Sequence, residues 1–221
     1  MTEYGARVII AGGRGPLNIY MTELNQLGQD ISVCRACRLA EGRTNAVPGE
    51  GCPEAEIMLI GEAPGENEDR QGRPFVGAAG KFLDELLRLI SLKRSDVYIA
   101  NIIKCRPPNN RDPLPDEILA CKPWLDRQIQ LIKPRMIVTL GRFSMSLYFP
   151  GKAIGKIHGN PISKDGIIYF PMYHPAAALH QGGLKEVIKA DMAKIPGLLT
   201  DNTAIEVATP AEPPLKQMKL F

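Results

Sequence analysis

Cys34 and Cys37 are separated by two residues, a spacing that lets two thiolates reach one metal centre from a single turn of chain. Cys105 and Cys121, with fifteen residues between them, can complete a four-thiolate set. Four thiolates suit zinc or an iron–sulfur cluster, and the spacing alone does not choose between them. The fifth cysteine, Cys52 in "PGEGCPEA", has no assigned role. An odd number of cysteines, without a secretory leader pattern, argues against a disulfide scaffold and toward metal binding or free thiols. A second chemical grouping lies in "GEAPGENEDRQGRPFVGAAGKF", residues 61–82, where glycines are interleaved with Glu62, Glu66, Glu68 and Asp69 and with Phe75. Glycines let backbone N–H groups approach a ligand, and carboxylates can place or activate water. Asn101 adds an amide that both donates and accepts, and His174 adds an imidazole.

These residues need elements to hold them. "EIMLIG", "VYIANIIK" and "RMIVTLG" read as buried strands, with "IHGNPI" and "IIYFPMYH" supplying further ones. "AAGKFLDELLRLI" reads as a helix with Phe82, Leu83, Leu86, Leu87 and Ile90 on one side. "PDEILACKPWLDRQIQLI" predicts a second helix interrupted near Pro123, a short helix follows at 142–149, and "LKEVIKADMAKIPGLL" predicts a closing one. Strand, helix, strand, helix, strand is the pattern of a parallel sheet covered on both faces by helices. Such sheets bind ligands beyond the carboxyl ends of their strands, which here carry "GEAPGENED", "NIIKCRPP", "LGR" and "MYHPAAA".

With 221 residues, 44% of them hydrophobic, the chain has material for one core of good size. Its longest apolar runs are too short to span a bilayer, so a cytoplasmic protein is expected. The net charge of +3 hides an asymmetry: residues 1–69 carry 5 basic and 11 acidic side chains, and residues 70–221 carry 22 and 13. The basic excess of the larger part is compatible with a polyanionic partner. Residues 1–20 differ in character from the rest of the chain and are expected to form an extension, with Met21 an alternative start and "TELNQLGQDI" a helix capped by Thr22. The folded domain is expected over 21–199. Residues 200–221 read as a flexible tail rich in Pro, Ala and Thr that ends in "QMKLF".

Taken in order, "CRACRLAEGRT", "GEAPGENED", "GRPFVGAAG", "ANIIKCRPPNNRDPLPDE", the Cys121 helix and "HPAAAL" resemble the motifs of the family-4 uracil-DNA glycosylases, the iron–sulfur branch of that superfamily. The resemblance spans roughly residues 22–200. It implies an α/β fold, a three-layer α/β/α sandwich with a mainly parallel central sheet of about four strands. It also implies removal of uracil from DNA, and a [4Fe–4S] cluster of structural character on Cys34, Cys37, Cys105 and Cys121.

The chemistry implied by the resemblance distributes the remaining residues. A base inside a duplex is unreachable, so the nucleotide is flipped into a pocket that stacks the ring and reads its polar edge. Phe75 is expected to stack the base and Asn101 to match uracil O4 and N3–H, an edge that cytosine lacks. Cleavage of the glycosidic bond puts negative charge on uracil O2, where His174 is expected as donor, helped by backbone N–H groups of the 62–66 loop, with Gly61 and Ala63 expected among the substrate-binding residues. Glu62 is expected to position or activate water, and Glu68, the other candidate catalytic carboxylate, to line the pocket near the C5 position. Glu66 and Asp69 are expected to be solvated. Gly77 and Gly80, in the "GAAG" turn at a helix start, are expected at a DNA phosphate, with Pro175 and Ala176 against the minor groove and Lys104, Arg106 and Arg111 as added charge. A covalent branch of the superfamily uses a histidine in the loop that here reads "RPPNNRDPLPDE" and holds none, so release of free uracil and an abasic site is expected; no lysine is placed as an evident Schiff-base nucleophile, so no lyase activity is expected, and the enzyme is expected to be a monomer.

The terminal "QMKLF" resembles the Gln-x-x-Leu-Phe peptides with which bacterial repair proteins dock on the replicative sliding clamp, through Gln217, Leu220 and Phe221. The competing readings are a non-catalytic nucleic-acid-binding module and a zinc-stabilised nucleotide-binding enzyme. Against the second, "GEAPGENED" lacks the lysine and hydroxyl of a P-loop.

Overall fold

The computed structural model describes residues 17–201, with side chains from residue 21 onward. Residues 1–16 and 202–221, Gln217, Leu220 and Phe221 among them, lie outside the described residues. In chain order the elements are α1 (Leu17–Val33), α2 (Leu39–Gly42), β1 (Glu50–Gly51), β2 (Ile57–Gly61), α3 (Glu66–Gln71), α4 (Ala78–Leu89) and β3 (Tyr98–Asn101). They continue with α5 (Pro115–Ile132), β4 (Met136–Leu140), α6 (Arg142–Ser146), α7 (Ile154–Ile157), β5 (Ile162–Lys164) and β6 (Ile167–Met172). The last three are α8 (Pro175–His180), α9 (Leu184–Met192) and α10 (Ile195–Thr200).

β2 and β4 are buried along their whole length, because helices cover both faces of the sheet. Ile57 and Leu59 turn to one face, where they meet Phe82, Leu83, Leu86 and Leu87 of α4 and Ile188 and Met192 of α9. Met58 and Ile60 turn to the other, against Leu24, Leu27 and Ile31 of α1 and Leu125 of α5. The result is three layers. The strand order is β1-β3-β2-β4-β6-β5, with β3, β2, β4 and β6 mutually parallel and the short β1 and β5 added antiparallel at the two edges. The sheet therefore has six strands rather than about four; two- and three-residue edge strands carry too little periodicity to be read from sequence. In β2 and β3, Gly61 stands opposite Asn101, so their carboxyl ends finish side by side.

Several local expectations are corrected. α1 starts at Leu17, so Thr22 lies inside the helix instead of capping it. α5 runs through Pro123 without a break. The carbonyl that Pro123 leaves without its helical donor belongs to Leu119, which is 71% exposed and sits on the wet side of the helix. The closing helix divides into α9 and α10 because Pro196 has no N–H to continue the ladder. Of "IHGNPI" only Ile162 is a strand residue, and α6 ends at Ser146. Asp69 is buried, not solvated, and its carboxylate accepts the N–H groups of Thr44 (2.9 Å) and Asn45 (3.3 Å), tying α3 to the segment after α2.

Gly80, in the first turn of α4, is one of the positions where only glycine fits: a Cβ there would lie 1.7 Å from the carbonyl oxygen of Phe75. The main chain of Phe75 thus rests directly on α4. Gly80→Ala is expected to destabilise the fold by about 3 kcal/mol through this overlap, seen as a lowered denaturation midpoint with an unchanged slope.

Candidate active site and metal centre

At the carboxyl ends of β2 and β3, beside the start of α8, lies a cavity of about 320 Å³, within the usual range for small-ligand sites. Glu62, Ala63, Glu68, Phe75, Asn101, His174 and Ala176 line it together, although they come from four separate stretches of sequence. Gly61, not itself among the cavity-lining residues, lies beneath two that are: a Cβ there would lie 2.4 Å from Asn101 Oδ1 and 2.6 Å from Phe75 Cζ, so both groups pack over a floor of bare backbone.

Phe75 is 6% exposed and adopts φ 52°, a conformation that costs a non-glycine residue on the order of 1 kcal/mol or more. Two side chains hold it there. Arg94 donates to the carbonyls of Pro74 and Phe75 (3.1 Å to the latter), and is itself anchored by Glu50 (2.7 Å) and Asp84 (3.0 Å). From the other side Glu68 accepts the N–H groups of Val76 (2.9 Å), Gly77 (2.8 Å) and Gly65 (3.1 Å). The Gly77 N–H expected at a phosphate is therefore committed to Glu68. Gly80 is buried beneath Phe75, and Gly77, Gly80 and Pro175 are not among the cavity-lining residues.

Asn101 is 2% exposed, and its side-chain oxygen has no hydrogen-bond partner. Leaving such a buried acceptor unpaired costs about 1–3 kcal/mol, which a ligand donor would recover. His174 caps α8, its Nδ1 accepting the Ala176 N–H at 3.1 Å. That contact leaves the proton of the neutral ring on Nε2. Burial pushes the imidazole down to about 4, with Glu68 opposing the shift, so the ring is a neutral donor at physiological pH. It stacks on Phe75 with centroids 5.5 Å apart. Burial, reinforced by Asp112 and opposed by Arg142, raises the Glu62 carboxyl above its usual range, which strengthens it as a base.

Pro107 and Asn110 line the cavity without having been singled out in the sequence, and Arg111, expected as added charge toward DNA, lines it as well. All three sit in "RPPNNRDPLPDE". Asn110 has φ 54°, and its side-chain oxygen accepts from Arg106 Nε at 2.7 Å. Two adjacent asparagines after two prolines are the signal that could have marked a left-handed turn. Arg111 is paired with the fully buried Glu117 (2.6 Å). Lys104, expected as added charge toward DNA, is buried instead; burial pushes its amine down to about 8.

Cys34, Cys37, Cys105 and Cys121 line one further cavity, together with Arg43 and Trp124. Donors point at the sulfurs: Arg43 Nη1 at Cys105 (2.9 Å), the Lys104 N–H at Cys121 (3.2 Å), and Trp124 Nε1 at Cys34 (3.3 Å). Burial pushes the Cys121 thiol up to about 11, so a thiolate there needs positive charge beside it. Among the described residues no three His, Cys, Asp or Glu side chains converge closely enough to hold a single metal ion. No described helix is long and apolar enough to cross a membrane.

Burial of His174 makes stability depend on pH. Its folded value lies below the usual 6.5, so the unfolded state takes up the proton first as pH falls. Relative to His174→Ala, the parent should lose stability between pH 6.5 and about 4 and show no such difference in slope above 6.5. Titration of the ring by NMR should give a midpoint near 4.

The uracil DNA glycosylase superfamily model matches residues 48–193, which contain every cavity-lining residue. The chain is 50% identical over 185 residues to the type-4 uracil-DNA glycosylase of Sulfurisphaera tokodaii, covering 79% of this chain and 84% of that one. It is also 50% identical over 185 residues to that of Saccharolobus solfataricus (79% and 86%), and 44% identical over 184 residues to that of Archaeoglobus fulgidus (79% and 92%). A type-5 uracil-DNA glycosylase of Thermus thermophilus is more distant, 36% identical over 149 residues, 53% of this chain and 68% of that one. With a family model over more than half its length and relatives of this identity over most of it, the chain belongs to the uracil-DNA glycosylase superfamily and groups with its type-4 members.

Proposed function

We propose that this protein excises uracil from DNA by hydrolysing the N-glycosidic bond, releasing free uracil and leaving an abasic site. The observation that carries the proposal is the unpaired, buried carboxamide oxygen of Asn101 at the base of a cavity walled by the Phe75 ring. A flipped uracil offers N3–H to that oxygen and O4 to the amide nitrogen, whereas cytosine presents an acceptor and a donor in the reverse order. Phe75 supplies the stacking face. Its strained backbone, clamped by Arg94 and Glu68, keeps the ring in place before the base arrives.

As the bond breaks, charge grows on uracil O2. A neutral His174 Nε2–H aimed there stabilises the anion without first losing or gaining a proton, and the backbone at Gly61 and Ala63 is assigned to the same edge. Glu62, with its raised affinity for a proton, orients water on the sugar side and takes its proton as the C1′–O bond forms. Asn110 is placed to hold that water with it. Glu68 is reassigned from catalysis to positioning, since its oxygens already hold three backbone N–H groups. DNA contacts fall to Pro175 and Ala176 at the minor-groove side, and the phosphate role expected of Gly77 and Gly80 gives way to packing.

Cys34, Cys37, Cys105 and Cys121 are proposed to hold a [4Fe–4S] cluster. Their convergence on one cavity and the N–H donors aimed at the sulfurs fit cluster thiolates. When bound, the cluster supplies a covalent tie between α5 and the segments bearing the other cysteines. The protein is taken to act as a cytoplasmic monomer. Gln217, Leu220 and Phe221 are proposed to dock on the sliding clamp; deleting residues 217–221 should abolish clamp capture in a pull-down and leave excision intact, and unaltered capture rules the peptide out.

The test of the activity is an oligonucleotide with one uracil placed opposite G, opposite A or single-stranded, with thymine and cytosine controls and alkali to cut abasic sites. Cleavage confined to uracil, reduced about 100-fold or more in Asn101→Ala and His174→Ala, is the expected result. Cluster-loaded protein that binds these DNAs without cleaving any would instead make it a binding module.

A further inference from the structure

Between the cysteine knot and the base-reading residue runs a buried polar path that the reaction itself does not use. Lys104 is 1% exposed, and its ammonium donates to the main-chain carbonyl of Asn101 at 2.9 Å and to Gln128 Oε1 at 2.7 Å. Gln128 is fixed in turn, its amide nitrogen donating to the Pro48 carbonyl (2.7 Å) and the Tyr98 hydroxyl (3.1 Å). The backbone of Lys104 is tied at the other end. Its N–H donates to Cys121 Sγ at 3.2 Å, its carbonyl accepts the Val47 N–H at 2.7 Å, and the next residue is Cys105.

We infer that Lys104 is a positioning residue that couples the cysteine knot to uracil recognition by fixing the Asn101 peptide. Asn101 is the last residue of β3, and the chain after it stays bonded to the end of β2 and the residue that follows, the Ile102 N–H donating to the Gly61 carbonyl and the Ile103 N–H to that of Glu62. Lys104 holds the carbonyl between those two stretches. Remove the ammonium and a buried acceptor loses this donor, so the peptide gains reason to rotate toward another partner. The carboxamide rotates with it. A displacement of order 1 Å in such a group costs about 100-fold in rate. A long side chain with three donors is needed because the two acceptors lie on different elements, β3 and α5, and a neutral alkyl chain of equal length fills the space without fixing either.

The inference rests on Asn101 as the residue that reads the base, and the experiment separates the two. The full-length, cluster-loaded protein is compared with Lys104→Met for iron and sulfide per chain, KM for uracil-containing DNA, single-turnover excision rate, and inhibition by free uracil. Expected are parental iron and sulfide, a KM within about twofold, a rate lowered about 100-fold, and uracil inhibition weakened about tenfold or more. Full iron with parental rate and uracil inhibition overturns the inference and leaves Lys104 a core filler. If Lys104→Met does not take up iron, Gln128→Leu decides, since it leaves the backbone beside both cysteines intact. Weakened uracil inhibition in an iron-replete Gln128→Leu supports the coupling, and parental inhibition overturns it. Asn101→Ala is run in parallel. If it is inhibited by uracil like the parent, the base-reading role and this inference fall together; if it loses inhibition while Lys104→Met keeps it, only the coupling falls.

Discussion

The parallel pairing of β2 with β3, in the register that sets Gly61 opposite Asn101, is the constraint on which the site depends. Adjacent parallel strands end at the same edge of a sheet, and there the backbone has no further partner to satisfy it and space opens for a ligand. Gly61 at that edge has no side chain, so Asn101 Oδ1 and the Phe75 ring close over it within distances that a Cβ would forbid. A one-residue slip would turn Asn101 toward the opposite face and put a side chain under the ring. Helices on both sides prevent it, because a slip would also exchange Ile57 and Leu59 for Met58 and Ile60 between two cores already filled.

The ring that stands over that floor is held under strain. Phe75 sits in a left-handed conformation because its carbonyl is gripped by Arg94 and the following N–H groups by Glu68, with Gly80 leaving room beneath. Hydrogen bonds to charged groups contribute about 1.5–3 kcal/mol each, enough to outweigh the conformational cost. Rigidity here serves recognition, since a base that stacks on a ring already in place loses less entropy than one that must organise it.

The metal-ligand region shares this logic of fixing by multiple contacts. The four cysteines come from two distant parts of the chain, and Lys104 lies between the last of them and the pocket. A buried ammonium is costly unless its donors are used. Its two acceptors here are a main-chain carbonyl at the pocket and a glutamine on α5, so metal region, helix and base-reading strand are one hydrogen-bonded unit.

The three-layer architecture was legible in the sequence from apolar runs of strand length alternating with helical patterns, whereas the four-cysteine set and the roles expected of Glu62, Phe75, Asn101 and His174 came from the resemblance of separated motifs to the family; the structure brings those four side chains to one cavity. The features that the sequence left hidden share one physical character. Asp69 looks like a solvated loop acid, yet it is anchored to backbone N–H groups; Glu68 was expected at the pocket as a catalytic carboxylate, yet its oxygens are taken up by backbone N–H groups; and Lys104 looks like surface charge, yet it is buried. Asn110 lines the cavity from a left-handed turn, and Arg94 grips Phe75 from nineteen residues away. A charged or amide side chain reads as solvated until its partners are known, and those partners are brought to it by chain packing. The sequence, through its apolar runs and the ordered set of motifs that resembles the family, determined the layered architecture and the class of chemistry to expect; only the tertiary structure decided which polar groups face the cavity and which hold the others still, because hydrogen-bond partners distant in sequence meet only when the sheet and its two helical layers close.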